Sequence, residues 1–314
     1  MGHAEETPVR IADEVRDAIT DRRGVVALET TLLVHGLPPE DAVKVAADLE
    51  QAVRAAGAVP ATVGMLEGVA VVGLAGAEID RLVEQRATVR KLSTRDLGLA
   101  AASRSDGATT VAATVALAAA ARIRVMATGG IGGVHLGARD TFDESADLVA
   151  LSRTPVLVVA SGVKSILDVA ATLERLDTLG VPVAAYGSTS FPGFYVVDSG
   201  LHVEWSVDSP ELVASAFAAH NGFGGGGMLL ANPVPQDDQM DLALHDRALA
   251  EGLQLASERG LTGADVTPFL LDHFAQTTGG ASVRANVALV LGNATLAGMV
   301  AVALVAHGGA APSA

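Results

Sequence analysis

A lysine follows a run of apolar residues in the segment PVLVVASGVKSILD (155–168). Lysine is among the side chains least often fully buried. Lys44, Lys91 and Lys164 are the three lysines of a chain that otherwise uses arginine for its positive charge. Burial can lower the pKa of a lysine and free its amine as a nucleophile, whereas arginine keeps its proton. Lys164 is therefore a candidate to form a Schiff base with a carbonyl; the alternative is a lysine at a helix start that reaches solvent.

Two other charged residues lie on apolar strands. Glu29 is near the end of GVVALETT, where a carboxylate needs a partner or a raised pKa, and a raised pKa would make it a usable general acid. The alternative for Glu29 is a structural salt bridge with Arg90 or Arg95. Lys91, in VRKLSTRDL, is a candidate clamp for a phosphate or carboxylate, or else an ordinary surface partner of Asp96.

Two segments of small residues could bind an anion. Gly-Ala-Thr-Thr, which ends in Thr109 and Thr110, opens a predicted helix, where free amides and the helix dipole attract phosphate. The alternative is that one of these threonines is a plain helix cap. The glycine-rich segment 128–137 has His135 at the third glycine position of a dinucleotide motif, so it favours a tight turn or an anion-binding loop over a nucleotide fold.

The segment TFDESADL (141–148) places Asp143, Glu144 and Asp147 close together. Carboxylate oxygens are the ligands that Mg²⁺ and Mn²⁺ prefer. Acids at the start of a helix also stabilise it through the helix dipole. From the residues alone, both interpretations of this segment stay open.

The elements that would position these residues alternate between apolar strands and amphipathic helices. This alternation predicts an α/β fold with a mostly parallel sheet and helices on both faces. In such sheets the site lies beyond the carboxyl ends of the strands, where Glu29, Lys91 and Lys164 are expected. The segment FPGFYVVDSG (191–200) is predicted to be an exposed loop, and three helices are predicted over 241–259, 264–277 and 281–306.

Composition narrows the classes of function. The net charge of −15 and the 3% of aromatic residues disfavour binding to a nucleic-acid polymer. The absence of cysteine excludes thiolate sites and disulfides. The acidic N-terminus has no apolar segment typical of a signal peptide, and a cytoplasmic protein is expected. The apolar run 287–306 is long enough to span a membrane, but Asn293 and Thr295 favour a buried helix; 307–314 is predicted to be a disordered tail.

Several of these motifs together resemble one family, the pseudouridine-5′-phosphate glycosidases, also described as indigoidine synthase A-like proteins. The resemblance extends over residues 25 to 300 in the order of the family. The matching segments are ALETTLLVHGLP, GAVPATVGMLEG, RKLSTRDL, DGATTVAAT, ATGGIGGVHLGARDTFDESADL, SGVKSILD, ANPVP and TPFLLDHFAQTTGG.

The resemblance implies an enzyme that reversibly joins or splits the C–C glycosidic bond between ribose 5-phosphate and uracil. Lys164 would form an imine with C1 of the opened sugar, and Glu29 would be the proton donor. Asp143 would hold a divalent metal, usually Mn²⁺, largely through water. The implied fold is a three-layer α/β/α sandwich, here expected as a single domain over residues 1–314, and members of the family are typically homotrimers.

A larger set of residues is expected to contact the substrate. Among them His135 and Asn286 are expected to face the sugar phosphate, and the backbone near Val111 is implied by the resemblance. The full set is Lys91, Thr109, Thr110, Val111, His135, Ser145, Ala146, Asp147 and Asn286.

The segment 185–211 departs from the family pattern. Ser190, Val197 and Ser206 stand where family members often have an acidic residue and arginines, and Trp205 is the only tryptophan. This departure leaves two aglycones open, uracil or the larger aromatic polyketide used by the alnumycin-type C-glycosynthase branch. A sugar-phosphate aldolase that shares Lys164 and a non-catalytic sugar-phosphate-binding protein are the competing hypotheses.

Overall fold

The structure is a computed structural model that describes residues 9–261 and 266–309. The strands are β1 (Val9–Ile11), β2 (Val25–Glu29), β3 (Val59–Leu66), β4 (Val69–Val72), β5 (Arg90–Leu92), β6 (Gly107–Thr109), β7 (Val125–Ala127), β8 (Leu157–Ala160), β9 (Val183–Tyr186), β10 (Trp205–Val207) and β11 (Met228–Ala231). The helices are α1 (Asp13–Thr20), α2 (Thr31–His35), α3 (Pro39–Ala55), α4 (Gly76–Glu84), α5 (Leu97–Ala102), α6 (Val111–Ala120), α7 (Ala138–Thr141), α8 (Ala146–Arg153), α9 (Val169–Thr178), α10 (Pro210–Gly222), α11 (Leu242–Glu258), α12 (Val266–Thr277) and α13 (Ala281–Gly309).

The strands form one 11-stranded mixed sheet, whose main path runs β1-β4-β3-β2-β7-β8-β11-β9-β10. The strands pair in parallel except where β3 meets β4 and β6, which run antiparallel to it. The strands β2, β8 and β11 are buried along their whole length, as parallel strands covered on both faces must be. The α/β fold with a mostly parallel sheet is confirmed.

Strand β3 is the point at which the sheet divides. Residues 59–63 pair with β2, whereas Gly64 and Met65 pair with β6. The opposite edge of β3 is taken by β4. Strand β6 therefore enters where β2 stops at Glu29, and β5 pairs in parallel with β6. This arrangement brings the ends of β2, β5 and β6 to one place, although they are far apart in sequence.

Helix α13 is the long apolar helix that the sequence predicts to be buried. Its length and composition would suit a membrane span, but 56% of its most apolar window is buried within the fold. It packs across β2, β7 and β8 beside α3 and α10, while α6 and α8 pack together elsewhere against the sheet. Its Asn293 is fully buried and bonds to the loops after β7 and β8. The helix is part of the core.

The structure corrects four local predictions. The apolar spacing of SILDVAATLERLDTLG predicts a helix over 165–180, but α9 begins only at Val169, with Asp168 as its cap, so Lys164 lies in a loop. Gly107 to Thr109 form β6, and the helix starts after Thr110. The last helix extends through 307–309, which the sequence assigns to a disordered tail, while 310–314 lie outside the described residues.

The fourth correction concerns the segment 191–200, which the sequence predicts to be an exposed loop. Phe191, Phe194, Tyr195 and Val196 are instead buried. The physical reason is that the segment crosses the carboxyl edge of the sheet and uses its aromatic rings to close the core there. Phe194 packs against Tyr195 edge to face, with ring centroids 4.6 Å apart. The apolar residues of FPGFY were the sequence feature that could have indicated burial of this segment.

We expect Gly24→Ala to destabilise the protein, because a Cβ at Gly24 would lie 2.8 Å from the backbone of Ala301 and Val302 on α13. Overpacking against backbone of this kind costs about 1–3 kcal/mol. The measurement is urea unfolding at one fixed protein concentration.

The matched control is Gly76→Ala, since nothing lies within 4 Å of a Cβ at the start of α4. That change should be neutral or stabilise by up to about 1 kcal/mol through the unfolded state. Equal unfolding midpoints for the two variants would contradict the tight packing of β2 against α13.

Candidate active site

A cleft of about 240 Å³ opens at the carboxyl edge of the sheet, where β2, β5, β7 and β8 end. We call it the main cleft. It brings together ten of the residues predicted from sequence. They are Glu29, Lys91, Thr110, Val111, His135, Asp143, Ser145, Ala146, Asp147 and Lys164.

Two further cavities continue the main cleft. The inner chamber, about 40 Å³, shares Glu29, Lys91 and Lys164 with the main cleft and adds Phe194 and Asn286. The helical basin, about 670 Å³, lies beyond the inner chamber, beside α12 and α13, and shares Asn286 and Lys91 with it. The side chains of Glu29, Lys91 and Lys164 therefore lie at the junction of a polar cleft and a more apolar chamber.

Glu29 is buried, with 5% of its surface exposed, and it accepts a hydrogen bond from the hydroxyl of Thr128. Burial raises the pKa of Glu29, and the charge of Lys164 and the Thr128 hydrogen bond offset only part of that rise. Among the described residues no arginine lies within salt-bridge distance of Glu29; Arg95 instead lies 3.7 Å from Asp96. Glu29 can therefore hold a proton at a pH where an exposed glutamate is ionised.

Lys91 projects from β5 into the same space. Its side chain keeps exposed surface, but that surface lines the main cleft and both neighbouring cavities. Desolvation and then the positive charge of Lys164 lower the pKa of Lys91, while Asp147 and Glu29 oppose this change. The predicted alternative, a surface pair of Lys91 with Asp96, is not formed within the described chain. The Asp96 carboxylate instead accepts from the amide of Ser93 and lies near Arg95.

Lys164 is held by backbone pairing beyond the end of β8. Its amide donates to the carbonyl of Ile131 at 3.1 Å, and Val163 forms a bridge with Ile131. Just before it, Gly162 has φ of +79°, and a Cβ there would lie 2.7 Å from the Pro192 carbonyl. Only glycine fits this turn. The lysine is thus partly buried in a fixed loop and is not at the start of a helix.

Asp147 joins the glycine loop to helix α6. It is buried, and its two carboxylate oxygens accept from the amides of Ala112 and Gly132, each at 2.8 Å. A Cβ at Gly132 would overlap Ser145 and Asp147, so the loop needs glycine at this point. The N-terminal end of α6, at Thr110 and Val111, thereby becomes part of the cleft wall, where the helix dipole favours an anion.

Thr109 lies behind the cleft wall and is fully buried. Its amide donates to the hydroxyl of Thr30 at 2.9 Å, and its hydroxyl donates to the carbonyl of Val63 at 2.7 Å. The hydroxyl of Thr30 donates to the same carbonyl at 2.8 Å. These bonds fasten β6 to the end of β2 and so position Glu29 and Thr110.

The acids of the segment 141–148 have separate surroundings. Glu144 pairs with Arg175 at 2.9 Å, and Asp147 is occupied by backbone amides. Asp143 lies in the cleft with its Oδ2 3.7 Å from the Nδ1 of His135. No group of three His, Cys, Asp or Glu that could hold a metal occurs in the part of the chain that the structure describes. Asp143 could therefore give a hard cation one carboxylate ligand, and the metal predicted at this residue stays a prediction.

Asn286 is outside the main cleft, in the wall of the inner chamber and the helical basin, and it shares the inner chamber with Glu29, Lys91 and Lys164. It is 5% exposed, and its Oδ1 has no hydrogen-bond partner in the described ranges. Four residues beside it were not predicted from sequence: His35, Thr128, Phe194 and Leu271. His35 was within a matching motif, ALETTLLVHGLP, and its histidine was the signal that could have singled it out.

A family model described as "Indigoidine synthase A like protein" matches residues 14–303. The chain belongs to this family. A pseudouridine-5′-phosphate glycosidase from Salinispora tropica is 59% identical, with 94% of this chain and 91% of that protein covered. An enzyme of the same description from Streptomyces griseus is 54% identical, with 93% and 91% covered.

Two solved structures have a fold similar to that of this chain. One is the prealnumycin C-glycosynthase AlnA in complex with ribulose 5-phosphate. It is 39% identical, with 96% of this chain and 99% of that chain covered and a TM-score of 0.89. The other is an indigoidine synthase A-like protein from Thermotoga maritima, 33% identical, with 97% and 99% covered and a TM-score of 0.87. The sequence resemblance and the α/β fold that it implied are confirmed.

We expect Glu29→Gln to change the pH dependence of stability. Because the folded-state pKa of Glu29 is raised from its usual 4.5, folded protein binds this proton more tightly than unfolded protein. The stability from Glu29 is fully present below pH 4.5 and is lost as pH rises through the raised folded value. The free energy of unfolding of wild type, minus that of Glu29→Gln, should fall across this window by at most about 1.4 kcal/mol per pH unit.

Urea unfolding at a series of pH values measures this difference. Thr128→Val supplies a second test, because it removes a hydrogen bond that lowers the pKa of Glu29 and should move the window to higher pH. A difference between wild type and Glu29→Gln that stays constant with pH would show that Glu29 is not perturbed.

Proposed function

We propose that the protein makes and breaks the C–C bond between C1 of ribose 5-phosphate and an aglycone. The observation that carries the proposal is the enclosed junction at which Lys164 and the buried, proton-holding Glu29 line one cavity. The near full-length similarity to pseudouridine-5′-phosphate glycosidases supports the same chemistry. Pseudouridine 5′-phosphate, in which C5 of uracil is joined to C1 of the sugar, is the proposed substrate.

A C–C glycosidic bond has no heteroatom leaving group, so protonation of a bridging oxygen, as in ordinary glycoside hydrolysis, cannot break it. In the synthetic direction we propose that the Lys164 amine adds to the C1 aldehyde of open-chain ribose 5-phosphate, and water leaves to give an imine. The protonated imine is the electrophile that the aglycone carbon attacks. That carbon then loses its proton, and the sugar C4 hydroxyl closes onto C1 as the C1–N bond breaks and releases the lysine.

Glu29 is the group proposed to move protons in these steps. Its raised pKa suits it to give a proton to the ring oxygen when the sugar opens and to take one back from the aglycone carbon. Lys91 is proposed to hold the substrate beside it. Both side chains line the cavity that contains Lys164, so the proton transfers and the imine would share one site.

The phosphate is proposed to bind in the main cleft at the start of α6, near Thr110, Val111 and Ser145. Asp147 and Thr110 accept from the amides of Ala112 and Ala113, so the amide of Val111 is the first-turn donor that remains for an anion among the described residues. The positive end of the α6 dipole favours an anion there, and Lys91 and Arg95 add positive charge to the cleft wall. Holding the phosphate would place C1 against Lys164, so binding energy from a distant group is used for positioning. Mn²⁺ at Asp143, held largely through water, would supply further positive charge when bound.

Two aglycones were left open by the sequence. The pseudouridine-5′-phosphate glycosidase relative is 59% identical, whereas AlnA is 39% identical. We therefore propose uracil, with an aromatic polyketide of the AlnA kind as the second candidate. The family resemblance supports a homotrimer, and a cytoplasmic location fits the phosphorylated substrate.

Lys164→Ala and Lys164→Arg should abolish turnover and the covalent adduct. With three lysines in the chain, the site of borohydride trapping with ribose 5-phosphate can be assigned from intact mass and a peptide map. We expect a wild-type adduct on Lys164 and a loss of turnover of at least about a thousandfold in both variants.

Lys44→Ala is the matched control, because Lys44 lies on α3 in an exposed pair with Asp48, and it should trap as wild type does. Wild-type protein that gives no adduct, or a Lys164 variant that keeps normal turnover, would exclude the imine mechanism. An adduct on Lys164 without C–C glycosidic turnover would favour the sugar-phosphate aldolase, whereas binding of ribose 5-phosphate without an adduct would favour a non-catalytic sugar-phosphate-binding protein.

Asp143→Asn should weaken Mn²⁺ binding by about tenfold or more, because it removes the carboxylate charge that faces the cleft. Calorimetry with Mn²⁺ on chelator-treated protein measures the affinity directly. Asp140→Asn is the control, since Asp140 is an exposed acid on the nearby α7, and its affinity should equal wild type. Equal affinities for both variants would remove Asp143 as the metal ligand.

A further inference from the structure

His35 stands at the boundary between the inner chamber and the helical basin, at the end of α2, and lines both cavities. Its Nε2 is buried and has no hydrogen-bond partner among the residues that the structure describes. The backbone of Val89 lies beside the ring and opposes the fall in its pKa.

The protonation state of His35 follows from these surroundings. Burial, and then the positive charges of Lys91 and Arg86, lower its pKa, so the ring is neutral at physiological pH. A neutral imidazole has one N–H, and we assign it to Nδ1, toward the backbone of Val89, because Nε2 has no partner. Nε2 is therefore left with a lone pair and can act only as an acceptor. A buried acceptor without a donor is an incomplete site.

Other residues of the chamber complete a surface for a flat ring. The amide of Asn286 lies in the same wall, has an unpartnered buried oxygen, and can pair with either a donor or an acceptor on a ligand. Phe194 has φ of +65°, a strained conformation for an aromatic residue, and its ring would lie 2.7 Å from a Cβ at Gly130. Strain of this kind is maintained where packing demands it, and here it places an aromatic wall beside Lys164.

We propose that His35 selects the aglycone, by accepting a hydrogen bond from an N–H group of a planar heterocycle held in the inner chamber and helical basin. This inference rests on the proposed function. In a uracil joined through C5, both ring N–H groups remain free, and one of them can meet Nε2. An aglycone that presents only carbonyl oxygens to this wall would leave Nε2 without a donor, so it is disfavoured.

The test compares uracil with 1-methyluracil, 3-methyluracil and 1,3-dimethyluracil in the synthetic direction with ribose 5-phosphate. For wild type we expect one of the two monomethyl compounds to lose about tenfold or more in kcat/KM for the aglycone, because its methyl group replaces the N–H that Nε2 needs. In His35→Phe, kcat/KM for uracil should exceed kcat/KM for that compound by no more than about twofold, because the variant has no Nε2 to accept the N–H of uracil.

His220→Phe is the matched control. His220 on α10 also has a buried, unpartnered Nε2, but it packs against Gly225, outside the three cavities. In His220→Phe the ratios of kcat/KM for uracil to kcat/KM for each methyluracil should equal those of wild type. His35→Gln, whose amide oxygen can accept, should recover part of the discrimination. If His35→Phe does not fold, His35→Leu replaces it as the variant without an acceptor.

Borohydride trapping of ribose 5-phosphate on Lys164 in each variant separates this inference from the proposed function. The adduct forms without aglycone, so His35→Phe should trap as wild type does. Absence of the adduct in wild type would overturn the proposed function itself. With the adduct intact, equal methyluracil ratios in wild type and His35→Phe would overturn the role of His35, as would full wild-type activity on 1,3-dimethyluracil.

Discussion

The early end of β2 determines the rest of the site. Strand β2 stops at Glu29, while β3 continues and pairs with β6. Thr30 and Thr109 close the junction through their shared acceptor, the carbonyl of Val63. A carboxylate is thus left inside the sheet edge, where burial would be costly without partners. The hydroxyl of Thr128 donates to Glu29, and the positive charge of Lys164, which lines the same cavity, offsets part of the cost of burial.

Two buried polar side chains keep the loops around this junction in place. Asn293, inside the apolar helix α13, donates to the carbonyl of Thr128 at 2.8 Å and to the hydroxyl of Ser161 at 3.1 Å, and it accepts from Asn232 at 2.9 Å. It therefore links the ends of β7, β8 and β11. Asp147 does the same for the glycine loop and α6 on the other side of the cleft. Both residues bond mainly to neighbouring backbone, so their effect on chemistry is to fix geometry.

The sequence was informative where a single residue was unusual for its surroundings. Glu29 and Lys164 are charged residues at the ends of apolar strands, and their position at one edge of the sheet could be predicted for that reason. The mostly parallel sheet could be predicted as well. The branch at β3 could not, because it depends on which strand pairs with Gly64 and Met65, and no local pattern encodes that choice. For the same reason Thr109 gave no sign that it lies behind the cleft. Phe194 is buried because its loop crosses the carboxyl edge of the sheet, and this crossing is a property of the tertiary structure.

The cleft is divided into two ends of different character, and Lys164 lies where they meet. The main cleft is lined by charged and polar residues such as Arg95 and Asp143, whereas the inner chamber adds Phe194 and other apolar residues. A protein with net charge of −15 attracts a phosphorylated sugar poorly over long range, so in the proposed function the cations that line the cleft supply the local attraction. The uncharged ring of an aglycone suits the apolar end. A reaction that joins a polar sugar phosphate to a flat ring requires both environments, and the proposed position of C1, the sugar atom that is joined to the ring, is beside Lys164, between them.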